Sequence, residues 1–150
     1  MIHLEKKTKI HKFENIFQQT LGNITHTYHW KNQQIRDLLL PYGITQQQYH
    51  VLSILKGQYP SPSTVNLIKM SIRDKMSDIS RIIDRLLFKG YVEKTANHYD
   101  KRAVDVVISD RGWSLLKKIE REVDFSDIIQ SNLTFEEAAQ LQLLLDKMRR

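Results

Sequence analysis

Between Ser80 and Gly112 the chain reads SRIIDRLLFKGYVEKTANHYDKRAVDVVISDRG, and the order of elements in this stretch narrows the fold more than any other. A helix is predicted from about Lys75 to Lys89, with Ile79, Ile82, Ile83, Leu86 and Leu87 on one face and Ser77, Arg81 and Arg85 on another at a spacing of four. Gly90 then stands where a helix needs a left-handed C′ residue. Two short strands are predicted next, Tyr91 to Thr95 and Ala103 to Ser109, the second alternating Val104, Val106 and Ile108 with Asp105 and Val107. A polar connection, 96–102, joins them, and a new helix opens at Asp110. A basic amphipathic helix followed by a β-hairpin is the order of a helix-turn-helix reading helix and its wing.

The flanks are helical. Apolar residues recur at Ile10, Phe13, Ile16, Phe17, Leu21, Ile24, Tyr28, Ile35, Leu38 and Leu39, a helical period that Gly22 could bend and Pro41-Tyr42-Gly43 ends. Thr45 to Gln48 is a capping box opening a helix to about Lys56, with Tyr49, Leu52 and Leu55 facing inward. Ser61-Pro62 reads as an N-cap with proline at the first helical position, starting a short helix to about Met70. Asp110 to about Gln130 reads as one helix, and Thr134 to Glu137 as a second capping box before the last one.

Charge follows this organisation. The chain has 150 residues and a formal net charge of +6, and from Lys69 to Arg102 nine basic residues stand against five acidic ones. Most of the excess therefore sits on the predicted helix and wing, which points to a polyanionic partner. A helix entering the major groove needs donors on the side away from its packing face, and arginine can meet guanine or phosphate with two hydrogen bonds. The same arginines could instead pair with Asp78 and Asp84 on a solvated face. Both readings stand at this level.

Several classes are excluded or disfavoured. The absence of cysteine removes disulfides, thiolate nucleophiles and cysteine-based redox sensing. No H-E-x-x-H, phosphate-binding glycine loop or nucleophile elbow occurs, so neither an enzyme nor a cofactor is expected and no catalytic or metal-binding residue is assigned. His26 and His29 share a helical face but read as surface or interface histidines. The opening MIHLEKKTKIHKF lacks the apolar run of a signal peptide, and no apolar stretch approaches a membrane span of about 18 residues. A cytoplasmic location without membrane association is the expectation.

Three motifs in order resemble the MarR family of bacterial transcription regulators. Asp100, Arg102, Val106, Ile108 and Ser109 match the wing pattern D-x-R-x-x-x-V-x-L-T with conservative changes. Gly43, Ile44, Thr45, Gln48, Val51, Leu52 and Leu55 are similar to G-[IL]-T-x-x-Q-x-x-V-L-x-x-L. Arg81 to Leu86 and Gly90 to Lys94 resemble R-x-V-D-x-L and K-G-[LY]-V-x-R, with Lys94 where arginine is usual. The stretch from Ser71 to Met76 departs from the common L-G-[IV]-S turn, so no base preference carries over there.

The resemblance implies an α+β, mostly α, winged helix-turn-helix over about residues 44–109. Helices from about 8–40 and 110–150 would form a dimerisation module, so that 1–150 make one unit. It implies a homodimeric transcriptional regulator, expected to be a repressor, on pseudopalindromic double-stranded DNA. Lys75, Ser77, Asp78, Arg81 and Arg85 would face the major groove, Lys101 and Arg102 the minor groove, and Asp100 would fix the wing. A small amphipathic or aromatic ligand could release the DNA, with Tyr28, Trp30, Tyr49 and Trp113 as candidate pocket walls. The competing readings are a winged helix serving as a protein-interaction module without DNA binding, and a small-ligand-binding protein.

Overall fold

The computed structural model of this protein describes residues 15–72 and 78–150. The chain divides into two compact units, residues 1–34 and 35–150. The first holds most of α1 (Ile16–Leu39). Asn15 starts this helix, its Oδ1 accepting the N–H groups of Phe17 and Gln18 at 3.0 and 3.1 Å. The helix continues through Gly22, and the part of the helical period before Asn15, with Ile10 and Phe13, lies outside the described residues. Ile16, Phe17, Leu21 and Tyr28 are exposed along it.

In the second unit a single 3-10 turn (Leu40–Tyr42) carries proline at its start and ends on Gly43, whose φ of 67° is left-handed. Next comes α2 (Gln46–Gln58), with the reciprocal Thr45–Gln48 capping box in place. Then follow β1 (Ser63–Thr64), α3 (Val65–Ser71), α4 (Ile79–Phe88), β2 (Val92–Ala96), β3 (Val104–Ile108), α5 (Asp110–Glu122), α6 (Asp127–Gln130) and α7 (Phe135–Met148). The three strands form one antiparallel sheet in the order β1-β3-β2. Its register pairs Ser63 with Val106 and Val92 with Ile108. The unit is thus mostly helical with a small sheet, the predicted class.

Three local expectations change. Ser61-Pro62 does not cap a helix; Ser63 and Thr64 pair with β3, and the Thr64 hydroxyl caps α3 by accepting the Leu67 N–H. The reading helix begins at Ile79 rather than Lys75, because Asp78 has extended backbone and its carboxylate accepts the Arg81 N–H at 3.2 Å. The helix predicted over 110–130 stops at Glu122. There Asp124 Oδ1 accepts both the N–H and the hydroxyl of Ser126, a local alternative to the helical ladder.

The core lies where α2, α4 and α5 meet the sheet. Val51, Leu52 and Leu55 come from α2, Ile79, Ile83 and Leu86 from α4, Leu116 and Ile119 from α5, and Val92, Val106 and Ile108 from the strands. Each set follows its element's own period, about 3.6 on the helices and 2 on β3. Burying a side chain of this size stabilises the fold by roughly 1.5–3 kcal/mol. Leu87, placed on the apolar face by its spacing, is 40% exposed. Although it is among the longer helices, α7 buries no residue, and Phe135, Leu141, Leu143 and Leu144 on it are exposed.

A seam of backbone contacts joins the hairpin to α5. Ser109 caps the helix by accepting the Gly112 N–H, and its hydroxyl donates to the Gly90 carbonyl at 2.7 Å. Its own N–H donates to the Tyr91 carbonyl. The hydrogens of Gly112 face that carbonyl so closely that a Cβ there would stand 2.1 Å from the oxygen. A second tie is the Tyr42 hydroxyl, which donates to Glu122 Oε2 at 2.8 Å. The shared hydrogen bond raises the Tyr42 pKa and, with help from Arg121, lowers that of Glu122.

Candidate nucleic-acid interface

The reading helix is held in place by its polar residues as well as its apolar face. Asp78 seats its first turn, where a carboxylate also complements the helix dipole. At the other end, Lys89 Nζ donates to the Gly43 carbonyl at 2.6 Å and reaches Gln48 Oε1 at 3.4 Å. Gln48 is buried and also completes the α2 capping box, so one side chain joins the start of α2 to the end of α4. Midway, the Asp84 carboxylate pairs with the Lys94 ammonium on β2. That pair ties the helix to the base of the wing, and it occupies the lysine that stands where the family pattern has arginine.

These attachments decide what Arg81 and Arg85 can do. Asp78 is engaged with backbone and Asp84 with Lys94. Among the described residues, neither guanidinium has a hydrogen-bond or ion-pair partner. The solvated-face reading required them to pair with those two aspartates, and that pairing is absent. Both arginines are exposed and line an open cleft of about 390 Å³ with Thr45, Asp84, Phe88 and Lys89. Phe88 is 94% exposed there.

The wing is a hairpin whose seven-residue tip is built around Asn97. Its Nδ2 donates to Asp105 Oδ1 at 2.8 Å, and its Oδ1 accepts the N–H groups of Tyr99 and Asp100 at 2.9 and 2.8 Å. Asp100 Oδ1 in turn accepts the Arg102 N–H at 2.9 Å, and the Asp100 carbonyl accepts the Ala103 N–H. Two side chains therefore hold three of the turn's backbone N–H groups, which presents Lys101 and Arg102 from a braced loop. Both are exposed, and among the described residues neither side chain has a partner.

The remaining sequence-derived candidates are distributed as follows. Lys75 and Ser77 lie outside the described residues, and with α4 starting at Ile79 the helical row shortens to Arg81 and Arg85. Tyr49 packs edge-on against Phe125 with ring centres 5.3 Å apart, and Trp113 lies tilted against Tyr59 at 5.2 Å, so each belongs to its own aromatic pair. Lys56 and Lys117 stand over the Trp113 ring. Tyr28 and Trp30 are in the first unit, where Tyr28 meets His29 edge-on. Sequence reasoning missed Asn97 as the organiser of the wing, although an asparagine two and three residues before the amides it binds is an Asx-turn signal. It also missed the Asp84–Lys94 tie. Among the described residues no helix is long and apolar enough to cross a membrane, and no three His, Asp or Glu side chains gather as a metal site would require.

Comparison with known proteins supplies the context for this geometry. The MarR family profile matches residues 44–104. The multiple antibiotic resistance protein MarR of Escherichia coli (strain K12) is 33% identical over 132 residues, which cover 85% of this chain and 90% of that protein. A mutant MarR from E. coli solved in complex with operator DNA superposes with a TM-score of 0.76 at 28% identity, covering 90% of this chain and 99% of that one. A MarR transcription factor from Planctomyces limnophilus gives 0.70 at 26% identity, with coverages of 90% and 98%.

Proposed function

This chain belongs to the MarR family, and we propose that it is a sequence-specific regulator of transcription that binds double-stranded operator DNA. The observation that carries the reading is the pairing pattern on α4 and the wing. The aspartates nearest the arginines are engaged elsewhere, leaving Arg81, Arg85, Lys101 and Arg102 to present unneutralised charge. Arg81 and Arg85, with Lys75 and Ser77 ahead of them, face the major groove. Lys101 and Arg102 reach the minor groove, whose negative potential is strongest where A·T-rich sequence narrows it. Asp78 seats the reading helix, and Asp100 braces the wing.

The reading extends to assembly and control. Residues 44–109 form the DNA-binding part, and the segments over about 8–40 and 110–150 join two copies. The exposed apolar residues of α7 support this, because a face that buries nothing in its own chain is suited to a partner. A homodimer places two winged helices on half-sites about 34–36 Å apart, so the operator is pseudopalindromic. The protein acts as a cytoplasmic repressor without catalytic activity. A small amphipathic or aromatic molecule releases it from DNA.

Binding to DNA from upstream of its own gene, measured at low salt beside light scattering, tests the proposal. A dimer whose affinity falls in Arg81→Ala and Arg85→Ala is expected. A folded protein with no affinity for any duplex would leave a protein-interaction module instead.

A further inference from the structure

Tyr99 is fully exposed at the tip of the wing, and the packing of the chain gives no reason for an aromatic residue there. A lone exposed aromatic is ordinary on a protein surface. What sets this one apart is its mounting. Its N–H is held by Asn97 Oδ1, and the amide of the next residue is held by the same oxygen. Asn97 is itself anchored to Asp105 on β3. The ring thus projects from a braced backbone, which lowers the ordering cost of any contact it makes. It also shares the tip with two unpaired cations, Lys101 and Arg102, while the Asp100 carboxylate is turned to the Arg102 amide.

We propose that Tyr99 is a DNA contact of the wing, laying its ring against the deoxyribose edge of the minor groove and donating its hydroxyl hydrogen to a backbone phosphate. The inference rests on the reading of this protein as DNA-binding and adds a neutral, partly apolar contact to the cationic ones. A tyrosine suits the position because its ring covers apolar sugar surface while its O–H meets a phosphate oxygen. The occupant is duplex DNA rather than a protein, because the two unpaired cations at the tip, Lys101 and Arg102, outnumber its one carboxylate, Asp100, and match a polyanion.

The two kinds of contact separate in their response to salt. Arg102 displaces a counterion from the phosphate backbone, so Arg102→Ala should lower the salt slope of log K by about one. Tyr99 is neutral, so Tyr99→Ala should weaken binding by about tenfold at every salt concentration and leave the slope unchanged. Tyr99→Phe, which keeps the ring and loses the hydroxyl, should fall between, at about threefold. The assay is fluorescence anisotropy on a duplex chosen from genomic fragments that the wild-type protein retains. Because Tyr99 is fully exposed and Arg102 is exposed without a side-chain partner, all three variants should keep the wild-type melting temperature. Wild-type affinity in Tyr99→Ala across the salt range, with Arg102→Ala impaired, overturns the inference alone. If the wild-type protein retains no duplex at low salt, the DNA-binding reading falls and the inference with it.

Discussion

Replacing Gly112 by alanine sets two effects of known sign against each other. Inside a helix the change ordinarily helps, because glycine costs about 1 kcal/mol relative to alanine. Gly112 lies within the first turn of α5, but its added Cβ would meet the Tyr91 carbonyl oxygen at 2.1 Å and Ile108 Cγ1 at 3.0 Å. The oxygen belongs to backbone at the hairpin's start and already accepts the Ser109 N–H, so it cannot swing aside cheaply. Relief requires moving α5 off the hairpin by about 1 Å, an overpacking cost of about 1–3 kcal/mol. Straining the Ser109 cap and its bond to Gly90 adds about 1–2 kcal/mol. The clash therefore wins, for a net loss of about 1–4 kcal/mol, or a fall in Tm on the order of 10 °C. Gly57 is the internal control, since it lies in α2 and a Cβ there meets nothing within 4 Å. Gly57→Ala should raise stability by up to about 1 kcal/mol. Thermal melts at matched protein concentration read both variants. An unchanged or higher Tm in Gly112→Ala would refute the close approach of α5 to Tyr91.

Two further perturbations probe the wing and the Tyr42–Glu122 tie. Asn97→Ala removes the acceptor shared by the Tyr99 and Asp100 amides, so hydrogen exchange at those two amides should speed up while the core amides of α2 keep their protection; equal protection in the variant would show that the turn does not depend on Asn97. Glu122 has a folded pKa lowered by the Tyr42 and Arg121 hydrogen bonds, so its contribution is present above the unfolded carboxylate pKa and is lost as pH falls through the folded one. Glu122→Gln should therefore flatten part of the drop in Tm between about pH 6 and about pH 3, and an identical acid profile would remove the tie from the account.

What was legible in the chain was mostly what is local. The Thr45–Gln48 and Thr134–Glu137 boxes work within one helical turn, so spacing alone locates them. The same holds for Gly90, where the helix end requires a positive φ, observed at 74°. Strand β1 was illegible because two residues make it only by pairing with Val106 and Asp105, some forty positions later. Ser61-Pro62 satisfied the local signature of a helix start, but the pairing shifted the true cap to Thr64. Periodicity carried the fifth helix past Glu122 because it cannot register that the Asp124 side chain competes for backbone donors.

The site divides along the same line. Arg81 and Arg85 were identifiable as candidates from their row on the helix, but their availability was not. It depends on Asp84 choosing Lys94, ten residues away on a strand, over the arginines three before and one after it. Asp100 and Arg102 were legible through a family pattern. The Asn97 brace beneath them depends on Asp105 across the hairpin, which residue spacing alone does not bring together.

The central claim is that Arg81, Arg85, Lys101 and Arg102 neutralise DNA phosphates and donate to base edges, and the salt dependence of operator affinity tests it most directly. For about six to ten phosphate contacts, affinity should fall by about 10³–10⁵ between roughly 50 and 200 mM salt, with a linear log–log slope. Alanine at Arg102 should reduce that slope by about one. An affinity insensitive to salt, or a slope identical in the wild-type and Arg102→Ala proteins, would contradict the account.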